Sequence, residues 1–91
     1  MALLRKKEYE YYVFHCPGCN EDHVIYTRNP GGPEWTFDGN MEKPTFSPSI
    51  KRTNHLGICH LVITKGEIHY CGDCFHEQQN KICQMVDLDR Q

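Results

Sequence analysis

Two Cys-x-x-Cys pairs, Cys16-Pro17-Gly18-Cys19 and Cys71-Gly72-Asp73-Cys74, constrain this chain more than any other feature. Two residues between cysteines let both sulfurs face one point at a bend, about 2.3 Å from a zinc ion. The pairs sit in a chain of 91 residues that carries six Cys and six His. That length supports a single domain, 1–91, with residues 1–8 expected as a flexible tail. Folding at this size hides only about 60–65% of the surface of the extended chain, so the core is thin and a bound ion is a natural staple. No apolar run approaches the ~18 residues that span a bilayer. Met1-Ala2-Leu3-Leu4 runs straight into Arg5-Lys6-Lys7, without the apolar segment of a secretory signal. The expected location is therefore the reducing cytoplasm, where clustered Cys and His bind metal more often than they form disulfides.

Zinc is the expected ion, because it accepts thiolate and imidazole together without redox chemistry. A structural site takes four ligands, and the chain offers more than four. The expected quartet is Cys16, Cys19, Cys74 and His76; Cys-x-His at a turn can send both groups inward. Further candidates are His60, Cys71 and Cys59. Cys59 and His60 are adjacent, so in a strand they point to opposite faces and one ion does not take both. Of the two, the hairpin register favours His60 and leaves Cys59 as a small buried hydrophobe. Cys71 competes with His76. His23 is either a ligand or a hydrogen-bond partner of one. Cys83 is expected in the core, and His15, His55 and His69 solvated or beside the ligands.

The fold class expected is a small, β-rich, zinc-ribbon-like set of hairpins, mostly antiparallel, with little helix. Tyr9–His15 is aromatic and β-branched, and His23–Thr27 returns as a second strand. Trp35–Phe37 is a short strand. Pro44-Thr45-Phe46-Ser47-Pro48-Ser49-Ile50 holds two prolines and is expected as extended coil or an edge strand, its hydroxyls capping backbone groups. Lys51–Gly57 is expected as a mobile loop. Lys65-Gly66 can close a two-residue hairpin that pairs Ile63 with Ile68, Leu61 with Tyr70 and His60 with Cys71. That register puts Leu61, Ile63, Ile68 and Tyr70 on one face, and a slip of one residue would split them. Glu77–Lys81 is expected as one helical turn and Met85–Leu88 as the last strand.

Cys16-Pro17-Gly18-Cys19 with His23, then Trp35, Pro44-Thr45-Phe46-Ser47-Pro48-Ser49, Cys59-His60, Gly66-Glu67-Ile68 and Asp73-Cys74-Phe75-His76, resembles a family of small phage and prophage proteins. Some of these carry an ammonia monooxygenase label without foundation in their residues. The resemblance covers roughly residues 14–88. It implies a phage or prophage origin, a bacterial host cell and a metal-binding β-rich domain, and it brings no established activity. Its motifs fall on Cys16, Cys19, Cys59, His60, Asp73, Cys74 and His76. Cys71 lies outside the pattern, and Glu77–Lys81 departs from it.

Three function classes follow. The favoured one is a non-catalytic module folded around structural zinc that binds a host or phage protein, such as a component of a defence or regulatory system, with no catalytic residues assigned. The second is a zinc hydrolase, with Asp73, Glu21 or Asp22 as general acid or base beside an ion that keeps one position for water. The third is a nucleic-acid-binding ribbon that uses Arg5-Lys6-Lys7 and Lys51-Arg52. A formal charge of −2 disfavours it.

Overall fold

The computed structural model describes residues 3–7, 11–54 and 57–88. Tyr9, Glu10 and His55 lie outside the described residues. Eight strands follow in chain order: β1 (Arg5–Lys7), β2 (Tyr11–Cys16), β3 (Glu21–Tyr26), β4 (Thr36–Phe37), β5 (Phe46–Asn54), β6 (Gly57–Thr64), β7 (Glu67–Tyr70) and β8 (Ile82–Gln84). They form a three-stranded sheet, β1-β2-β3, and a five-stranded sheet, β4-β5-β6-β7-β8. All pairings are antiparallel. The small, β-rich, antiparallel class expected from the sequence is the one found. Among the described residues no helix is long and apolar enough to cross a membrane.

Alternation builds the core. In β2 the even positions Tyr12, Phe14 and Cys16 are buried; in β6 the odd positions Cys59, Leu61 and Ile63 are. These side chains join Ile25, Phe46, Ile50, Ile68 and Tyr70 in one cluster shared by both sheets. Each fully buried aliphatic or Phe side chain contributes about 1.5–3 kcal/mol. Tyr12 lies against Phe37 and Phe46, with ring centroids 4.8 and 5.9 Å away, and ties β2 to the larger sheet.

The β6–β7 hairpin has the expected register, Leu61 with Tyr70, Val62 with His69 and Ile63 with Ile68. Lys65 and Gly66 both have positive φ, 49° and 78°. That combination defines the turn whose twist matches a two-residue hairpin.

Other segments differ from expectation. Arg5–Lys7 is no free tail: it pairs with β2, and Leu3 and Leu4 are buried in the core cluster. The Pro-rich segment enters β5, which lies between β4 and β6 and runs to Asn54 through the stretch expected as a loop. Pro48 is accommodated because the β5–β6 register shifts between Phe46 and Ile50, and a bulge needs no ladder N–H there. The last strand forms three residues early, at Ile82–Gln84, while Met85 is buried. Glu77–Asn80 is a run of turns closed by Gln79 N–H to His76 O and Lys81 N–H to Gln78 O, in place of a helical turn.

Candidate active site and metal centre

Two constellations share β6 and the loop that follows β7. The first is buried. Cys16 ends β2, and Pro17-Gly18 turns the chain so that Cys19 comes back beside it; Asn20 N–H closes the turn on Cys16 O at 2.8 Å. Cys59 faces inward from β6, and His76 arrives from the loop. One ligand atom from each of Cys16, Cys19, Cys59 and His76 lies within 4.8 Å of the other three. Cys16 Sγ and Cys59 Sγ are 3.8 Å apart, and Cys59 Sγ is 3.3 Å from His76 Nε2. A tetrahedron with ~2.3 Å metal–sulfur bonds has S···S edges of about 3.8 Å, so the spacing fits a tetrahedral ion.

Hydrogen bonding from Cys59 holds the Cys16 thiol well below its ordinary range against the cost of burial, and the Tyr70 hydroxyl adds to it. The Tyr70 hydroxyl accepts Gly18 N–H at 3.4 Å and donates to Cys16 Sγ at 3.0 Å. Cys59 shifts upward through that same bond to Cys16 and through burial. Burial leads in pushing Cys19 up to about 11. A divalent cation removes this conflict by holding all three as thiolates. Gly18 is required here for space: a Cβ on it would lie 2.3 Å from His76 Cε1.

Cys74, expected in the quartet, is replaced by Cys59. Its thiol donates to His60 O at 2.9 Å and accepts His60 N–H at 3.2 Å, so it clamps the loop to β6. Cys71 N–H to His60 O and Phe75 N–H to Ile58 O continue that docking. The second Cys-x-x-Cys turn thus does not face the first. Cys71 belongs to another group, with His60 and Asp73; burial, then the charges of Asp73 and Cys74, raise its thiol. His60 points away from the buried sulfurs, as alternation in β6 demands. His23 is 1% exposed, with no hydrogen-bond partner on either ring nitrogen, packed edge-on to Phe14 and near Cys19 and Glu21. Cys83 is partly buried and donates to Gln78 Oε1 at 3.1 Å. His15 bonds Asp22 at 3.0 Å and His69 lies 3.3 Å from Glu67.

The second constellation lies on the other face of β6. His60 Nε2 is 2.9 Å from Ser49 Oγ, and His60 Nδ1 is 3.1 and 3.2 Å from the two carboxylate oxygens of Asp73. Lys51 is the direct partner of His60 in the ladder, so Ser49, two residues earlier, is its diagonal neighbour on one face. The bulge at Ser47-Pro48-Ser49 aims the hydroxyl, and Trp35 Nε1–H fixes the segment by donating to Ser49 O at 3.1 Å. Trp35 also lines a cleft of about 420 Å³ with Lys6, Tyr12, Thr27, Thr36 and Phe37. Nucleophile, base and orienting carboxylate within hydrogen-bond reach form the arrangement that activates a serine for acyl transfer. Local sequence rules do not point to it, because they make Ser49 a backbone cap and His60 a metal ligand. The available signal was that the Pro-rich, Cys-His and Asp-Cys-x-His motifs each hold one of the three residues.

Fold and sites define a small antiparallel β protein with a Ser-His-Asp relay beside a group of three Cys and one His positioned to hold a metal ion. The chain belongs to the family described as bacterial ubiquitination-like system serine protease (BubE), whose model matches residues 1–71. The match includes Ser49 and His60 and ends before Asp73 and His76. Comparison with curated proteins and with solved structures finds no match.

Proposed function

We propose that this chain is a serine protease with a structural zinc ion, acting on a ubiquitin-like protein of a bacterial ubiquitination-like system. The observation that carries the reading is the continuous hydrogen-bonded chain Ser49 Oγ–His60–Asp73. Ser49 Oγ attacks the scissile carbonyl while His60 Nε2 takes its proton. The same nitrogen then protonates the departing amine. Water, deprotonated by His60, hydrolyses the acyl-enzyme and restores Ser49. Asp73 holds Nδ1–H and stabilises the imidazolium as it forms.

Cys16, Cys19, Cys59 and His76 hold the zinc. Four protein donors, three of them thiolates, make a closed set with no place for a catalytic water, so the ion's chemistry is cross-linking. It joins the β2–β3 turn to β6 and the 71–76 loop. The protein partner expected from the sequence becomes the substrate, and the contact-only module gives way to an enzyme whose metal is structural. A phage or prophage origin is compatible with this role and is no premise of it.

The test is labelling by a fluorophosphonate probe and cleavage of a ubiquitin-like substrate extended at its C-terminus. Wild-type protein should take one label at Ser49 and cleave, and Ser49→Ala should do neither while keeping its fold. Cleavage by Ser49→Ala, or cleavage lost on chelation with the fold intact, would remove serine from the centre of the reaction.

A further inference from the structure

We infer that the exposed edge of the relay is a second, inhibitory metal site, formed by Cys71, His60 and Asp73, for a thiophilic divalent cation of the zinc class. The inference rests on the serine-relay reading for its consequence and on geometry alone for the site. One ligand atom of each residue lies within 4.8 Å of the other two. Cys71 is held there by its own backbone, since its N–H donates to His60 O at 2.9 Å. The His60 and Asp73 side chains are 24% and 48% exposed, and Cys71 is partly buried. An ion from solvent therefore reaches this group, whereas the quartet around Cys59 is enclosed. Thiolate, imidazole and carboxylate together select zinc over magnesium, which prefers oxygen donors. Three protein donors and a solvent molecule complete a tetrahedron, so this site fills after the four-donor site.

Occupancy silences the base by a change of tautomer. In the resting relay the ring proton sits on Nδ1 beside Asp73, and Nε2 presents its lone pair to Ser49. A cation on Nδ1 displaces that proton to Nε2, and the Cys71 thiol releases its own proton to solvent. Nε2–H then donates to Ser49 Oγ and cannot accept from it, and Asp73 is drawn from the ring to the ion. The serine remains 2.9 Å from a nitrogen that has become a donor.

The experiment starts from protein holding one equivalent of zinc and adds Zn²⁺ in buffer without chelating components. Bound metal is counted by equilibrium dialysis and elemental analysis, and Ser49 labelling by fluorophosphonate is followed in parallel. The second equivalent should bind, and labelling should slow at least tenfold as it does. Mg²⁺ at the same concentration should do neither. Cys71→Ser should label at the wild-type rate without added metal, lose tight binding of the second equivalent, and keep labelling in its presence. A count that stops at one equivalent, a second equivalent that Cys71→Ser binds equally well, or full labelling with the second site filled each overturns the inference. Absence of labelling at one equivalent would instead sink the protease reading, and the ion count would still decide the site.

Discussion

Cys59 and His60 are consecutive residues of β6 and occupy different constellations: Cys59 Sγ lies 3.8 Å from Cys16 Sγ inside the core, and His60 Nε2 lies 2.9 Å from Ser49 Oγ on the opposite face. The loop after β7 repeats the division, with Asp73 on the relay and His76 in the buried quartet. His60 is thus tied to the buried quartet through a single peptide unit, and Asp73 lies three positions from His76. An ion held by the quartet would fix the backbone that carries His60 and Asp73 without contacting either side chain.

Removing one buried donor should therefore cost both fold and activity. Structural zinc supplies about 10–16 kcal/mol in small metal-folded domains, as much as the stability of a whole domain. Cys59→Ser is expected to bind less than a tenth of an equivalent of zinc and to lose its cooperative melt. Cys74→Ala keeps all four donors and gives up only the thiol's two bonds to the His60 backbone. It should keep a full equivalent and lose about 1–3 kcal/mol. Elemental analysis with thermal melts separates the two; the reverse pattern would restore Cys74 as the ligand.

The contrast between Cys59 and Cys74 also marks how far the sequence could be read. The first knuckle and the β6–β7 register follow from local rules, two-residue Cys spacing and strict alternation around Lys65-Gly66. The third thiol does not, because it depends on how the β2–β3 hairpin docks on the core face of β6, a contact 43 residues distant in the chain. Ser49 was hidden for another reason: Pro48 argues against a strand interior, and only the bulge between Phe46 and Ile50 reconciles proline with the ladder.

Gly18→Ala isolates the steric demand of the knuckle. The new methyl would sit 2.3, 2.5 and 2.6 Å from His76 Cε1, Nε2 and Nδ1, closer than real contacts allow. Either the knuckle or the imidazole must move. Zinc affinity should fall at least tenfold and stability by about 1–3 kcal/mol, measured by competition with a colorimetric chelator and by urea melts. An unchanged affinity would remove His76 from the site.

Asp73→Asn tests the relay apart from the fold. The amide keeps the shape of the carboxylate but can donate to Nδ1, which favours the tautomer with its proton facing Ser49. A loss of about 10³–10⁴ in kcat is expected, with little change in KM or melting temperature. Activity within threefold of wild type would mean that His60 works without Asp73.

Proton release on metal binding reports the charge state of the thiols. In the metal-free protein Cys16 is held below its ordinary value and ionised near neutrality, while Cys19, raised to about 11, and Cys59, also raised, keep their protons. Zinc takes thiolates only, so binding near pH 7.5 must expel the protons of Cys19 and Cys59 and none from Cys16. Calorimetry in buffers of different ionisation enthalpy should count about two protons per zinc. The sign follows: apparent affinity rises with pH, about a hundredfold per unit through neutrality, and less steeply, about tenfold per unit, once Cys19 has ionised near pH 11 and Cys59 alone still gives up a proton. Three protons released would place a proton on Cys16 and dismantle the hydrogen-bonded arrangement around its sulfur.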